Sequence, residues 1–208
     1  MQKYEAIIFD LDGTLIDSPK LWEKAYVEVL GNRDIHFTSD HFTELYPAGL
    51  PFTEWAKELG IHQDLVPGIR KERDVVYEEL LRTETALYSD AEMALAELMH
   101  MPRAIVTGSH RSYISAINER TDLSSISDIL ITVDDVERGK PDPEGLLKAA
   151  AALGAIPGEC LYIGDQPFDA LAAKNAGMDS VIVRREYTPD VLHDTGHTEV
   201  HLLTELLP

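Results

Sequence analysis

The sequence predicts an α/β fold in which a Rossmann-like parallel sheet forms the core and an all-helical segment is inserted into it. Short apolar runs alternate with stretches of helical periodicity, which is typical of a parallel sheet covered by helices on both faces. Between the first run and the second there is only helical periodicity, so that stretch is predicted to be the insertion. The predicted strands are centred on residues 7–9, 104–106, 129–131, 161–163 and 181–183.

Length and charge narrow the class of protein. The 208 residues suffice for one α/β domain with a large insertion, or for two modest domains. With 18 basic and 37 acidic residues the net charge is −19. Such a chain repels nucleic acids and anionic membrane surfaces, so neither is expected as a partner. It also repels anionic substrates, so a phosphate site would need a local positive centre.

Two further features indicate the compartment. No apolar stretch approaches the ~20 residues that a membrane-spanning helix needs, and the first residues lack the basic and apolar regions of a signal peptide. The single cysteine, Cys160, precedes an apolar run and is expected to be a buried core residue rather than a nucleophile. A cytoplasmic protein is therefore expected.

The first predicted strand ends in Asp10-Leu11-Asp12-Gly13. Because extended residues alternate between the two faces of a sheet, the side chains of Asp10 and Asp12 can point the same way. Gly13 lets the chain turn without a clash from a Cβ atom. Open α/β sheets bind ligands at the carboxyl ends of their strands. From these residues alone, a polar turn and a catalytic site are equally good interpretations.

The helical segment follows directly. Ser18 and Pro19 predict an N-cap and a first helical turn, and helical periodicity continues with one interruption by a loop rich in proline and glycine. We therefore expect residues 15–86 to form a helical domain, and residues 1–14 and 87–208 to form the α/β core.

Four polar clusters follow predicted strands. Because the carboxyl ends of parallel strands share one rim, these residues are expected to converge. Several carboxylates around one lysine would raise one another's pKa unless a cation stabilised the charged forms. A divalent cation with oxygen ligands is expected there, and Mg²⁺ is usual where phosphate is present. The clusters are Asp10 with Asp12, Thr107-Gly108-Ser109, Gly139-Lys140, and Gly164-Asp165 with Asp169.

Part of this rim suits a phosphate group. Thr107 offers a hydroxyl, and the N–H groups of Gly108 and Ser109 lie where a helix is predicted to start. Lys140 supplies a positive charge for phosphoryl oxygens. One carboxylate can then act as nucleophile and another as general acid and base, which is the chemistry of phosphoryl transfer through an aspartyl phosphate.

In order and spacing, the clusters resemble the four motifs of the haloacid dehalogenase superfamily, carried here by residues 10–14, Thr107, residues 139–141 and residues 164–169. The resemblance covers essentially the whole chain. The helical segment after the first motif looks like the cap domain of the phosphoglycolate phosphatase and β-phosphoglucomutase-like branch. Within it, residues 49–51 (Gly-Leu-Pro) resemble a loop of such caps.

The resemblance implies roles for the first pair of carboxylates. Asp10 would attack phosphorus and contact Mg²⁺. Asp12 would protonate the leaving oxygen, later deprotonate the hydrolytic water, and bind the metal through its backbone carbonyl. Members that cleave carbon–halogen bonds or phosphonates lack an aspartate two residues after the nucleophile, so Asp12 argues against both reactions.

The other motifs receive roles in the same way. Thr107 and Lys140 would hold the phosphoryl oxygens, Asp165 would complete the metal site, and Asp169 would orient Lys140 or a metal-bound water. The expected function is a Mg²⁺-dependent phosphatase acting on a small phosphorylated metabolite. Trp22 stands near the position where sugar phosphomutases carry a histidine, which favours the phosphatase. A phosphomutase and a non-catalytic binding or regulatory protein stay open as alternatives.

The C-terminal histidines are interpreted as structural. His193, His197 and His201 have the spacing of a helical metal-binding face, but Gly196 interrupts any such helix. A solvated surface trio is expected instead.

Two charged segments are also interpreted from their surroundings. The mixed-charge run at residues 70–74 is expected to be a solvated helix face rather than a substrate clamp. His110 and Arg111 follow the Thr107 turn, where contact with substrate and exposure on the surface are equally good interpretations.

Overall fold

The computed structural model describes residues 3–127, 129–190 and 195–207. Its central element is a sheet in which every neighbouring pair of strands is parallel. The strands are β1 (Ala6–Phe9), β2 (Arg103–Val106), β3 (Ile129–Ile131), β4 (Cys160–Gly164), β5 (Asp179–Val183) and β6 (Thr198–Val200). Their order is β3-β2-β1-β4-β5-β6.

The five predicted strands and the parallel sheet are confirmed. The sixth strand, β6, was not among them, because only Val200 of its three residues is buried and the segment carries no apolar run. Val200 packs into the same apolar cluster as the central strand, so β6 completes one edge of the sheet.

The strand order places the end of β1 at the middle of the sheet. Phe9, its last residue, lies opposite Ile105 on β2 and Ile163 on β4. The N–H of Asp10 then donates to the carbonyl of Ile163 over 2.8 Å. Because the chain builds β2 and β3 on one side of β1 and the later strands on the other, a crevice opens at this point.

Eight α-helices lie among the described residues, and none of them combines the length and apolarity needed to cross a lipid bilayer. Four form the helical segment: α1 (Ser18–Gly31), α2 (Ser39–Leu45), α3 (Phe52–Glu58) and α4 (Val66–Glu84). The others are α5 (Ser89–Glu97), α6 (Arg111–Asn118), α7 (Glu144–Leu153) and α8 (Pro167–Ala176).

Side chains of β1 alternate between two apolar clusters. Ile7 and Phe9 pack with α5 and α6 on one face, whereas Ile8 packs with α7 and α8 on the other. A third cluster, which includes Tyr26 and Phe42, lies mostly in the helical segment and also contains Tyr187, which follows β5.

The helical segment joins the sheet through two adjacent connections. Ile16 forms an antiparallel bridge with Leu87, and the N–H of Tyr88 donates to the carbonyl of Leu15 over 2.9 Å. The chain therefore enters and leaves the helical segment side by side.

Candidate active site

The four predicted clusters meet at the carboxyl ends of β1, β2 and β4. Their centre is the ammonium group of Lys140, whose Nζ lies 2.8 Å from Oδ1 of Asp10 and 2.6 Å from Oδ1 of Asp169. The hydroxyl of Tyr162 lies 3.2 Å from the same nitrogen. Only 7% of the Lys140 side chain is exposed. Burial alone would lower the pKa of Lys140, but the two carboxylates reverse this and hold it above its ordinary value.

Three buried carboxylates form the floor of the site. Asp10, Asp165 and Asp169 each place one oxygen within 4.8 Å of the others, and this is the only such acidic or histidine group among the described residues. Burial raises the pKa of Asp10 well above its ordinary value; Lys140 opposes this rise, and the charges of the neighbouring carboxylates add to it. Burial, reinforced by Asp169, raises the pKa of Asp165 to about 7. A cation bound here would relieve both effects.

Asp169 differs from the other two in its partners. Its Oδ1 accepts from Lys140 and from the Tyr162 hydroxyl, at 2.6 Å and 3.0 Å. Its Oδ2 accepts from the N–H groups of Asp165 and Gln166, at 3.2 Å and 3.0 Å. With four donors, both oxygens of Asp169 are committed to the protein. Among the described residues, Asp165 accepts from Thr14 and Gln166 alone, and so keeps capacity for a further ligand.

Two glycines allow these carboxylates to approach the backbone. Gly13 has a φ of +75°, and a Cβ atom there would lie 2.6 Å from Oδ2 of Asp165. A Cβ atom on Gly164 would lie 2.5 Å from the Cβ of Asp169. Both distances are too short for any side chain, so the glycines are part of the carboxylate site.

The side chain of Asp12 points to a different set of partners. Ser18 donates to its Oδ1 over 2.6 Å, while Thr107 and Ser109 both donate to its Oδ2 over 2.8 Å. The sequence predicted Ser18 as the N-cap of α1, and this was wrong: Asp17 occupies that position and Ser18 is the first helical residue. Nothing in the local sequence distinguishes a serine that caps a helix from one that reaches a carboxylate six residues earlier.

The turn after β2 holds the hydroxyl groups in place. The N–H of Ser109 donates to the hydroxyl of Thr107 over 3.0 Å, so this amide does not point towards a ligand. Gly108 lines the open space above the site. Helix α6 begins at Arg111, with His110 as its N-cap, so its first residue comes directly after this turn.

A cavity of about 510 Å³ lies between this rim and the helical segment. Asp10, Asp12 and Lys140 line its sheet side, and helices α1, α3 and α4 line the opposite side. Its wall is rich in aromatic side chains, namely Trp22, Tyr26, Tyr46, Phe52, Trp55, Tyr77, Tyr113 and Phe168.

Arg73 on α4 was assigned wrongly from the sequence. Instead of lying on a solvated face it is only 4% exposed and lines the cavity. Its guanidinium group pairs with Asp74 at 2.6 Å, donates to the Tyr26 hydroxyl and lies 3.8 Å above the ring of Trp22. The spacing of the sequence could have indicated that Arg73 is buried. Ile69, Arg73 and Tyr77 follow one another at intervals of four residues, which places them on one face of α4, and all three are buried.

The other side chains left open by the sequence are now placed. His110 lines the cavity, and its Nδ1 lies 2.9 Å from Asp134. Arg111 is exposed and pairs with Asp135, outside the cavity lining. His197 contacts Thr195 over 2.8 Å and lies beside β6 rather than on a helix, but its side chain is only 8% exposed, so the expectation of a solvated residue was wrong for it. His193 lies outside the described residues.

Comparison with known proteins agrees with the motifs. The family model described as haloacid dehalogenase-like hydrolase matches residues 7–183. The validoxylamine A 7'-phosphate phosphatase of Streptomyces hygroscopicus subsp. limoneus is 31% identical over 84% of this chain and 83% of that protein. The fructose-1-phosphate phosphatase of Escherichia coli is 28% identical over 88% of this chain and 98% of that protein.

Comparison with solved structures shows that the fold is also similar to that of known proteins. The crystal structure of CbbY from Rhodobacter sphaeroides in complex with phosphate superposes with a TM-score of 0.79. It covers 98% of this chain and 96% of that one at 21% identity, which supports the fold alone. From the matched family model, and from the motifs that meet at the sheet rim, the chain belongs to the haloacid dehalogenase-like hydrolase family.

Proposed function

We propose that this protein is a Mg²⁺-dependent phosphatase that hydrolyses a small organic phosphate monoester through an aspartyl phosphate on Asp10. The observation that carries the proposal is the position of Asp10. Its carboxylate lies at the floor of the cavity, 2.8 Å from the Lys140 ammonium group and beside two further buried carboxylates. The two relatives above are named as phosphatases of phosphorylated compounds, which supports the same reaction class.

The donor set suits a hard divalent cation. Asp10 and Asp165 retain carboxylate oxygens that can bind it, and the backbone carbonyl of Asp12 is the third ligand that the family resemblance implies. Bound there, Mg²⁺ would neutralise charge on the phosphoryl oxygens and on the carboxylates themselves. Asp169, whose four acceptor positions are filled, is assigned to hold Lys140 in place.

The first step transfers the phosphoryl group to the protein. A carboxylate oxygen of Asp10 forms a bond to phosphorus while the bond from phosphorus to the leaving oxygen breaks. Asp12 gives that oxygen a proton, and the product alcohol departs. Lys140 stabilises the charge on the phosphoryl oxygens.

The second step returns the phosphoryl group to water. Asp12, now deprotonated, removes a proton from a water molecule, which attacks phosphorus. The bond between phosphorus and the Asp10 oxygen breaks, and inorganic phosphate is released. The hydroxyls of Thr107 and Ser109, which hold Asp12 here, can donate to phosphoryl oxygens when Asp12 turns towards the leaving oxygen.

The position of the helical segment over the cavity supports its role as a cap domain. We assign residues 15–86 to it, since its helices supply one wall of the cavity and would exclude bulk water when a substrate is enclosed. Trp22 on α1 lines the cavity, near the position where the family resemblance implies a histidine in a phosphomutase. Water is therefore the preferred acceptor. A cytoplasmic location belongs to the same proposal and is supported by the buried free thiol of Cys160.

The test is a phosphate-release screen across sugar phosphates, carboxylic acid phosphates, nucleotides and diphosphate, with and without Mg²⁺. We expect turnover that EDTA abolishes and that the Asp10→Asn variant lacks. Turnover retained by Asp10→Asn would show that the nucleophile is assigned wrongly. Formation of an isomeric sugar phosphate without phosphate release would identify a phosphomutase instead, and no turnover with any substrate would favour a non-catalytic protein.

A further inference from the structure

The cavity contains four basic side chains, and three of them are neutralised by carboxylates. Lys140 contacts Asp10 and Asp169, Arg73 pairs with Asp74, and His110 contacts Asp134. Arg70 is the fourth, and its guanidinium group makes no hydrogen bond or ion pair with any residue that the structure describes. Arg103 and Arg120 also lack a carboxylate partner, but each donates to a backbone carbonyl, so Arg70 differs from them in having no partner of either kind among the described residues.

Arg70 is also placed where a substrate would extend. It lies on α4 one helical turn before Arg73, so the two side chains are neighbours on the same side of that helix. Burial raises the pKa of Tyr26 to about 12, and the positive charges of Arg73 and Arg70 oppose that rise. Arg70 is exposed at the rim of the cavity. Its positive charge nevertheless acts on Tyr26, which lines the cavity wall opposite Asp10.

We propose that Arg70 is a specificity residue that binds a carboxylate on the leaving group, so that the substrate is a phosphate monoester of a hydroxy acid. This inference rests on the phosphatase function proposed above. The Arg73–Asp74 pair is electrically neutral, which leaves Arg70 as one unbalanced positive charge on this wall. A guanidinium group binds a carboxylate through two parallel hydrogen bonds, and one positive charge matches one carboxylate.

A matched series of substrates tests the inference. The esters carry a phosphate at one end and a carboxylate at the other, separated by one to four methylene groups, and each is compared with its neutral carboxamide. For the spacing that reaches Arg70, we expect kcat/KM for the carboxylate to exceed that for the carboxamide by about tenfold or more. The difference should lie mainly in KM, because the carboxylate is bound equally before and during the reaction.

The variant Arg70→Gln should reduce this ratio to about 1 and leave the carboxamide reaction unchanged within about twofold. Lys71→Gln is the matched control. It removes the same charge from the next residue of α4, but Lys71 does not line this cavity, so the ratio should stay as in the wild type. Arg70→Lys should retain part of the ratio, because it keeps the charge and loses the paired donors.

A ratio of about 1 at every spacing in the wild type, or a ratio that Arg70→Gln leaves unchanged, would overturn this inference. In both cases the esters are still hydrolysed, so the proposed phosphatase function stands. Failure of the wild type to release phosphate from either series, and from the broader screen above, would instead reject the phosphatase function itself.

Discussion

The Oδ1 atom of Asp169 lies 2.6 Å from Nζ of Lys140, which in turn lies 2.8 Å from Asp10. Asp169 on α8 is therefore linked to the proposed nucleophile through Lys140. The two ion pairs are buried, so the loss of one carboxylate leaves charge that water cannot solvate.

We expect Asp169→Asn to lower kcat by about 10- to 100-fold and to destabilise the fold by about 1–3 kcal/mol. The amide keeps the shape of the side chain, but it neither balances Lys140 nor accepts from all four donors. Steady-state kinetics and urea denaturation measure the two effects. Asp179→Asn is the control, since Asp179 makes an exposed ion pair with Lys3 and should change stability by less than about 1 kcal/mol. Wild-type kcat in Asp169→Asn would contradict a positioning role.

Removing the hydroxyl of Ser18 tests the arrangement around Asp12. We expect Ser18→Ala to lower kcat by roughly 3- to 10-fold, because Asp12 loses one of its three hydroxyl partners and the orientation that goes with it. Ser115→Ala is the matched control, since Ser115 is an exposed helical serine that bonds only to its own helix. Equal kinetics for the two variants would show that Ser18 has no part in placing Asp12.

A methyl group at Gly13 would enter the space of Asp165. We expect Gly13→Ala to raise the Mg²⁺ concentration needed for half-maximal activity by about tenfold or more, because Asp165 must move to relieve a 2.6 Å contact. Gly154→Ala is the control that separates the effect of the contact with Asp165 from the effect of backbone strain. Gly154 has a similar φ of +70° and open space around it, so Gly154→Ala should lose only the backbone contribution of about 1–2 kcal/mol of stability that both variants share. If Gly154→Ala impaired Mg²⁺ dependence to the same extent, the contact with Asp165 would not be the cause.

The metal-free protein should become less stable as the pH rises from about 4 to about 7. Burial raises the pKa of Asp165 from its ordinary value of 3.8 to about 7, so the folded state keeps a proton that the unfolded state has lost. The folded state therefore binds more protons in this window, and its stability falls as pH increases, by at most about 4 kcal/mol for this group. Urea denaturation in EDTA at pH 5 and pH 8 measures the change.

The same carboxylate should make Mg²⁺ affinity depend on pH in the opposite sense. Because the ion displaces the proton of Asp165, the apparent affinity should rise up to about pH 7 and then level off. Isothermal titration calorimetry across this range measures it. In Asp165→Asn, which cannot ionise, the fall in metal-free stability should shrink. A wild-type protein whose stability and Mg²⁺ affinity were both flat from pH 5 to pH 8 would contradict the raised pKa.

The site could be predicted from the sequence as far as its backbone positions. Runs such as Ile7 to Phe9 are short, apolar and followed by polar residues, and local patterning of this kind is enough to identify a buried parallel strand and its carboxyl end. Since all such ends share one rim, the convergence of Asp10, Lys140 and Asp165 followed without any knowledge of their contacts.

The partners of individual side chains were decided only by tertiary structure. Ser18 was predicted to cap a helix and reaches Asp12 instead, while Arg73 was predicted to be solvated and is buried at the cavity wall. Both outcomes depend on how α1 and α4 pack over the sheet. Local periodicity reports the element in which a residue lies and the face it occupies. It does not report which element will cover that face. The packing of α4 over the sheet also leaves the Arg70 side chain at the cavity without a carboxylate partner.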